Sequence, residues 1–469
     1  MHNRTRPKPT TVSLPAREVP VTGRVNVLVV GGGPAGVAAA VGAARAGAKV
    51  LLLEREGFLG GVSTRNLYLR LSTLRGEGVR YRVVGGVAIE FVRRVMAAGG
   101  GSLRLGHLSI DYEVAKRAWE QLVLETGAEI LLGATAFEPI TEGDTLIGIV
   151  ALSKPGLQAL LADVVVDCSG DGDIAANAGA LFELGRPADG LTQPVTMMMR
   201  FGGVDMTAFN IHVARDFHLK QVLGAAVTGS DLELNLGGAC INYWSGCPGV
   251  LGLNVIDQKG VDGTDGKQLS AAMIDGRRQV WLLFDWLREH VDGFQNAWVI
   301  DTAAQIGVRE TRRFQGEHVL TEEEVMEGSE FPDTVALGSY PVDIHSPDGV
   351  DSKFVHIRAP CYGIPYRCLV PRRVENLLVA GRNISTTHGA LASARVMFTC
   401  MATGHAAGVA AALASQQSVP PRHLDVKVIQ AELVRQMAII SSAQARELNA
   451  PATFATEAEV AEYILHNYG

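Results

Sequence analysis

The residues best suited to chemistry form a glycine-rich turn near the start of the chain. Residues 31–36, GGGPAG, fit the pattern G-x-G-x-x-G. Gly31 permits the tight turn, Gly33 lets a pyrophosphate approach the backbone, and Gly36 lets helix and strand pack closely. Glu54, 21 residues after Gly33, can accept hydrogen bonds from an adenosine ribose. The spacing predicts a dinucleotide site and leaves FAD and NAD both open.

The elements around this turn are those needed to position it. Residues 25–30 are nearly all apolar, as in a strand buried on both faces, and residues 37–46 continue as an alanine-rich helix. The N-terminus of that helix would face phosphate charge. Residues 49–53 form a second apolar strand that leads to Glu54. The sequence therefore predicts a strand, turn, helix and strand in succession.

Composition excludes several classes of protein. The chain has 469 residues, is 47% hydrophobic and carries a net charge of −7, which is typical of a globular protein of two or three domains. No basic stretch is long enough to bind nucleic acid. The six cysteines are too sparse for a disulfide framework. They form no Cys-x-x-Cys pair, which argues against an iron–sulfur cluster, a structural zinc site and a redox-active disulfide. We predict no metal site.

The expected cellular location rests on two parts of the sequence, the N-terminal region and residues 27–44. Three prolines interrupt the N-terminal region, and no apolar run follows its basic residues, so we expect no signal peptide. Residues 27–44 are uncharged over 18 positions, but glycines and Pro34 near the start break them as a membrane helix. We expect a cytoplasmic protein that binds a small-molecule substrate, touches no membrane and possibly forms a homo-oligomer.

The sequence pattern changes twice along the chain. Residues 1–24 are predicted to form an extended arm, and a pattern of glycine turns, apolar strands and helices then runs through residues 25–185. Scattered aromatics and a long amphipathic segment replace this pattern at residues 186–365, and the pattern returns at residues 366–469. The sequence therefore predicts a discontinuous dinucleotide-binding domain with an inserted α+β substrate domain.

Several strings spread over residues 19–415 carry a resemblance to a known family. Glycine-bearing strand ends occur near the start, at residue 170 and at residue 381. The chain resembles bacterial FAD-dependent oxidoreductases of the glutathione-reductase-like superfamily, which implies an α/β fold with a Rossmann FAD-binding domain. The strings are GGGPAG, LEREGFLGG, CSGDGDIAANAG, IGVRETRR, GSYPVDIH, YGIPYRCLVP, NLLVAGRNIS and SARVMFTCMATGHAAGVAAALA.

The resemblance implies which residues bind FAD. Arg382 stands where many flavoproteins have Asp, which suggests a cation near phosphate or flavin and argues against aromatic hydroxylases. A helix beginning at residues 393–396 would direct its N-terminus at the flavin pyrimidine, where Arg395 could stabilise negative charge. The alternative is that Arg395 is a solvated or domain-bridging residue. The residues expected at the cofactor are Gly31, Gly33, Pro34, Ala35, Gly36, Glu54, Arg55, Gly61, Thr64, Ala136, Gly170, Asp171, Gly381, Arg382, Arg395 and Val396.

Two clusters in the second domain are candidates for catalysis. In a strand, Asp343 and His345 would point to one face, where the carboxylate could make the imidazole more basic. The alternative is a hydrogen-bonded surface or interface histidine. Arg309 and Arg313 would likewise share a strand face and clamp an anion, or else form a salt-bridged domain interface.

Two further candidates flank the return to the first domain. Tyr366 could line the domain cleft or simply pack in a strand. His388 lies between the third glycine motif and the flavin-facing helix, so it could act in catalysis or in covalent flavin attachment.

These residues predict a dehydrogenase or oxidase that transfers a hydride from a small polar organic substrate to flavin N5. The alternatives are a flavin monooxygenase using NAD(P)H and oxygen, a flavoprotein electron-transfer subunit, and a protein in which FAD is structural. A monooxygenase would bind its nicotinamide only transiently, since no second G-x-G-x-x-G follows a strand.

Overall fold

The computed structural model describes residues 16–79, 81–104, 106–228, 231–234, 240–243, 248–347 and 352–448. Most of the predicted arm at residues 1–24 lies outside these ranges. Its last residues, 21–24, were assigned wrongly, because the first strand already begins at Val21, which pairs with Ala159 of a neighbouring strand.

The described residues form twenty strands and twelve α-helices. The strands are β1 (Val21–Val30), β2 (Val50–Glu54), β3 (Arg70–Leu71), β4 (Gly101–Arg104), β5 (His107–Ile110), β6 (Glu129–Leu132), β7 (Thr135–Glu142), β8 (Thr145–Ser153), β9 (Gly156–Asp167), β10 (Phe182–Leu184), β11 (Val195–Gly202), β12 (Cys240–Tyr243), β13 (Leu251–Gln258), β14 (Trp298–Thr302), β15 (Arg312–Phe314), β16 (Thr334–Gly338), β17 (Val342–Ile344), β18 (Lys353–Val355), β19 (Tyr362–Pro365) and β20 (Leu377–Val379). The helices are α1 (Pro34–Arg45), α2 (Val87–Ala97), α3 (Tyr112–Leu124), α4 (Asp173–Asn177), α5 (Met206–Arg215), α6 (Lys220–Val227), α7 (Gly266–His290), α8 (Glu322–Glu327), α9 (His388–Ala394), α10 (Met397–Gln417), α11 (Val426–Arg435) and α12 (Ser442–Leu448).

The first sheet positions the glycine turn. Its strand order is β6-β2-β1-β9-β8-β7, and β20 also pairs with β9. Strands β6, β2, β1, β9 and β20 run parallel, whereas β8 pairs antiparallel with β9 and β7 pairs antiparallel with β8. Carboxyl ends of parallel strands share one edge, which is where open α/β sheets bind ligands. The turns after β1, β2 and β9 therefore meet there.

Helices α1 and α10 cross in direct backbone contact on one face of this sheet. A Cβ atom at Gly404 would lie 2.0 Å from the Ala35 carbonyl oxygen, so only glycine fits there. By length and composition α10 is apolar enough to cross a membrane, but 89% of its most apolar stretch is buried inside the protein. Its apolar residues are therefore used in the core behind the glycine turn.

A second, antiparallel sheet has the strand order β12-β13-β11-β14. The long helix α7 buries Val280, Leu283 and Leu287 in the same hydrophobic cluster as strands β11 and β13. The α/β fold class, with antiparallel sheets added to a Rossmann-like domain, is thus confirmed.

The second core is smaller than the sequence predicted. Its buried apolar residues beyond Leu67 run from Val195 to Ile306. Apolar side chains at residues 320–364, predicted to belong to the substrate domain, pack instead in the first core. The prediction failed there because short apolar strands such as β16 and β19 carry no glycine motif to identify their domain.

Candidate functional site

A cavity of about 510 Å³ lies between the carboxyl edge of the first sheet and one face of the second sheet. Its volume is within the range of small-molecule and cofactor sites. On one side it is lined by the glycine turn and the ends of β2 and β9, and on the other by side chains of β11, β13, β17 and α7.

The glycine turn presents backbone to this cavity. Gly31 has φ of +97°, and a Cβ atom at Gly36 would lie 1.7 Å from the Gly31 carbonyl oxygen. Gly36 therefore packs the helix against the turn, as predicted. Gly33 is the N-cap of α1, and no side chain accepts a hydrogen bond from the first amides of the helix there. These amides therefore remain available to a ligand.

Glu54 is buried against the turn. Its Oε2 accepts a hydrogen bond from the amide of Gly32 at 2.6 Å, and its Oε1 accepts one from the amide of Glu56 at 2.9 Å. The carboxylate also lines the cavity, so its second lone pairs can face a ligand. Its binding to a ribose stays a prediction.

Most of the residues expected at the cofactor do line the cavity. The two that do not are Gly36 and Thr64, whose Oγ1 donates instead to the Leu59 carbonyl at 2.9 Å. Thr64 thus braces its own loop. The lining members are Gly31, Gly33, Pro34, Ala35, Glu54, Arg55, Gly61, Ala136, Gly170, Asp171, Gly381, Arg382, Arg395 and Val396.

Arg382 is paired. Its Nη2 donates to Asp171 Oδ1 at 2.5 Å and its Nη1 to Thr311 Oγ1 at 2.8 Å. Burial favours the protonated carboxyl, but the adjacent guanidinium outweighs this and holds the pKa of Asp171 below its ordinary value. The charge that the sequence offered to phosphate or flavin is therefore largely neutralised by Asp171.

The helix predicted to face the flavin begins later than residues 393–396. Arg395 is the C-cap of α9, and α10 begins at Met397 with Val396 as an N-cap that makes no side-chain hydrogen bond. Val396 and Met397 line the cavity, so a second uncapped helix N-terminus opens on it. Arg395 Nη2 donates to the Asp343 carbonyl at 3.1 Å. Val342 and Ile344, which flank Asp343, pack in the first core, so this hydrogen bond does not bridge the two cores.

His345 lies on the cavity wall between two carboxylates. Its Nε2 is 3.5 Å from Asp343 Oδ1, as the strand pattern predicted, and its Nδ1 is 3.3 Å from Asp257 Oδ2. Asp257 was missed by the sequence reasoning. The available signal was a carboxylate inside the apolar run of β13, where a charge is costly unless paired.

Asp257 is fixed from the other side. Thr196, its partner in the β11–β13 register, donates to Oδ1 at 2.7 Å, and Arg309 Nη2 donates to the same atom at 3.1 Å. Burial would raise the pKa of Asp257, but Arg309 and His345 outweigh it and hold the pKa well below its usual range. Burial likewise acts to raise the pKa of Asp343, but His345, Arg395 and Arg309 outweigh it and lower that pKa.

The arginine pair predicted as an anion clamp is separated. Arg309 lines the cavity and binds Asp257, whereas Arg313 is buried elsewhere and pairs with Glu310. The clamp prediction is therefore wrong, because the chain at Arg309 is not part of a strand and the two side chains diverge. Both arginines instead form salt bridges with carboxylates, and the domain-interface alternative stays a prediction.

Two more catalytic candidates lie away from the cavity. Tyr366 is buried and donates to the Pro421 carbonyl at 2.9 Å, and this burial raises its pKa. His388 Nδ1 is 2.9 Å from the buried Glu310 Oε1. Neither residue lines the cavity, so the geometry does not support a catalytic role for Tyr366 or His388.

The sequence is similar to one protein family and to parts of two curated proteins. A family described as FAD dependent oxidoreductase matches residues 26–433. A digeranylgeranylglycerophospholipid reductase 1 from Methanopyrus kandleri is 29% identical over 171 residues, which cover 34% of this chain and 43% of that protein. A thiamine thiazole synthase from Aeropyrum pernix is 33% identical over 159 residues, 31% of this chain and 55% of that protein. The chain thus spans about half the length of these curated relatives.

Solved structures are similar over more of the chain at lower identity. A geranylgeranyl bacteriochlorophyll reductase-like protein from Thermoplasma acidophilum aligns over 95% of this chain and 92% of its own, with 13% identity and a TM-score of 0.42. A p-nitrophenol 4-monooxygenase from Pseudomonas putida aligns over 94% and 93%, with 12% identity and a TM-score of 0.43.

Proposed function

This chain belongs to the FAD-dependent oxidoreductase family, and from that premise we propose that it oxidises a small polar organic substrate by hydride transfer to flavin N5. The observation that carries the proposal is His345, held between Asp257 and Asp343 on the wall of the cavity. The glycine turn at residues 31–36 and Glu54, which we call the dinucleotide cradle, border the same cavity. A histidine so placed can receive the proton that an alcohol or amine releases when it loses a hydride.

The donors and acceptors of the cavity fit FAD. The open N-terminus of α1 suits a pyrophosphate, and Glu54 offers an acceptor for a ribose. The open N-terminus of α10 suits a ring system that gains negative charge on reduction. Bound FAD supplies a flavin that accepts the hydride.

His345 acts as the proton acceptor in this proposal. Donation from its Nδ1–H to Asp257 leaves Nε2 as the basic atom, because the hydrogen bond selects that tautomer. Nε2 then takes the proton from the substrate oxygen or nitrogen as the carbon loses its hydride and a C=O or C=N bond forms. Asp343, near Nε2, stabilises the imidazolium.

The test is anaerobic flavin reduction. The purified protein is mixed with pools of alcohols, amines and hydroxy acids, and the loss of flavin absorbance is followed by stopped flow. We expect at least one pool to bleach the flavin, and His345→Gln to slow that reduction by about 100-fold or more while FAD stays bound.

His356→Gln is the matched control. His356 also pairs with a carboxylate, Glu77 at 2.9 Å, but its ring is largely exposed and does not line the cavity. The rate of flavin reduction in His356→Gln should equal that of the unsubstituted protein. Bleaching by NAD(P)H alone would instead favour the monooxygenase, and an unchanged rate in His345→Gln would remove His345 from the reaction.

A further inference from the structure

The half of the cavity opposite the cradle has one apolar wall. Leu269 and Met273 lie on the first two turns of α7 and share a helix face, since they are four residues apart. Met198 of β11 and Ile306 also line the cavity. We call these four residues the apolar wall. Burying hydrocarbon against them removes apolar surface from water on both sides.

The polar residues that line this half include Asn254 and His345. Asn254 of β13 lines the cavity, and its Oδ1 is buried without a hydrogen-bond partner among the described residues. A buried amide oxygen left unpaired costs free energy, so a ligand that donates a hydrogen bond there would recover it. The amide can also rotate to present its NH₂ group.

The fixed charges around His345 already balance. Arg309 pairs with Asp257, and Arg395 lies 3.7 Å from Asp343, so two cations face two carboxylates. A substrate carboxylate would add a third negative charge beside two aspartates that stay ionised. The balance favours a substrate head group without negative charge.

We propose that the substrate is an amphipathic alcohol or amine. Its O–H or N–H group lies between His345 and Asn254, and its hydrocarbon part lies against the apolar wall. The inference rests on the proposed function and deepens it, since it specifies the substrate class of the same site. Met273 and Leu269 are then specificity-determining residues, and Asn254 anchors the head group.

The experiment uses a homologous series of primary alcohols, from ethanol to decanol, and the matching primary amines. The second-order rate constant for anaerobic flavin reduction is measured for each compound. We expect it to rise by up to about fourfold per added methylene until the wall is covered, because each methylene transfers to an apolar surface. The head-group series that reduces the flavin faster identifies alcohol or amine.

Substitutions separate the wall from the anchor. Met273→Gln keeps the side-chain length and should flatten the dependence on chain length, whereas Asn254→Ala should lower all members of the series alike. Ile274→Gln is the control on the same helix, because Ile274 is 67% exposed and does not line the cavity. It should retain the full dependence.

The outcomes also separate this inference from the proposed function. Equal rates along the series, an undiminished slope in Met273→Gln, or reduction by hydroxy acids alone would overturn the amphipathic substrate while leaving hydride transfer intact. Reduction by no organic donor would contradict the proposed function itself.

Discussion

The two halves of the cavity present different kinds of groups to a ligand. In the cradle, backbone amides and glycines of a single strand–turn–helix unit line the wall, with Glu54 close by in the chain. In the opposite half the polar lining consists of side chains from β11, β13, β17 and the Arg309 segment. Substitutions in the cradle should therefore act sterically, by filling space that the backbone or the cofactor needs. Substitutions near His345 should act by changing charge and the position of a proton.

The largest effect should come from the cradle, where Gly36→Ala and Gly33→Ala form a matched pair. A methyl at Gly36 would overlap the Gly31 carbonyl, so we expect loss of folded protein together with FAD. A methyl at Gly33 meets no protein atom closer than 3.9 Å, so the protein should fold and lose FAD affinity by about 100-fold or more. Thermal unfolding and flavin absorbance measure both.

The pair can contradict the assignment of the cradle. If Gly33→Ala binds FAD as tightly as the unsubstituted protein, the cofactor does not approach the backbone at this turn. If Gly36→Ala folds normally, the contact between α1 and the turn is not needed to hold the strand–turn–helix unit.

The next effect is expected in the opposite half. Asp257→Asn should slow flavin reduction on the order of 100-fold, because the amide no longer fixes the His345 tautomer. Asp343→Asn should slow it on the order of 10-fold, since Asp343 contributes only charge near Nε2. Rates come from the anaerobic assay, with FAD content checked by absorbance.

Asp333→Asn is the control for these two variants. Asp333 also pairs with an arginine, Arg367 at 2.9 Å, but away from the cavity, so reduction should be unaffected. A larger loss in Asp343→Asn than in Asp257→Asn would exchange the roles assigned to the two carboxylates.

A smaller effect concerns the helices behind the cradle. Burial lowers the pKa of His405 on α10 to about 4, whereas an exposed histidine titrates near about 6.5. The unfolded chain therefore binds more protons between these values, and stability falls by up to about 3 kcal/mol as pH decreases through this window. Replacing His405 with Asn should reduce that slope, measured by urea unfolding at several pH values. An unchanged slope would assign the pH dependence to other groups.

The smallest effect should follow Tyr366→Phe. The substitution removes the hydrogen bond to the Pro421 carbonyl and should cost about 1 to 2 kcal/mol in the free energy of unfolding. Flavin reduction should be unchanged, because Tyr366 does not line the cavity. A slower reduction in this variant would restore Tyr366 as a candidate for the reaction.

The difference between the halves also explains which predictions succeeded. The cradle could be read from the chain because its function depends on backbone conformation, and glycine spacing controls that conformation locally. The pairing of His345 with Asp343 could be predicted for the same reason, since Asp343 lies on the short strand β17 and His345 directly follows that strand. Asp257 could not be paired with His345, because 88 residues separate them and no local pattern records that contact.

The failures share a physical cause. Tyr366, His388 and Arg313 are polar residues of types common in active sites, but burial and their partners determine what each side chain can do. Arg313 and His388 converge on Glu310, and Tyr366 on a carbonyl, so their hydrogen bonds are used inside the protein.

The sequence by itself determined the family, the α/β fold class, the dinucleotide turn and most residues at its edge. The family followed from the resemblance of several sequence strings, whereas the fold class and the turn depend on hydrophobic periodicity and on glycine positions, which act over a few residues. Only the tertiary structure decided that residues 320–364 pack with the first core, that Arg382 is paired with Asp171, and that His345 lies between two carboxylates. Those features depend on which distant side chains share one desolvated space, and that is set by the packing of whole sheets and helices.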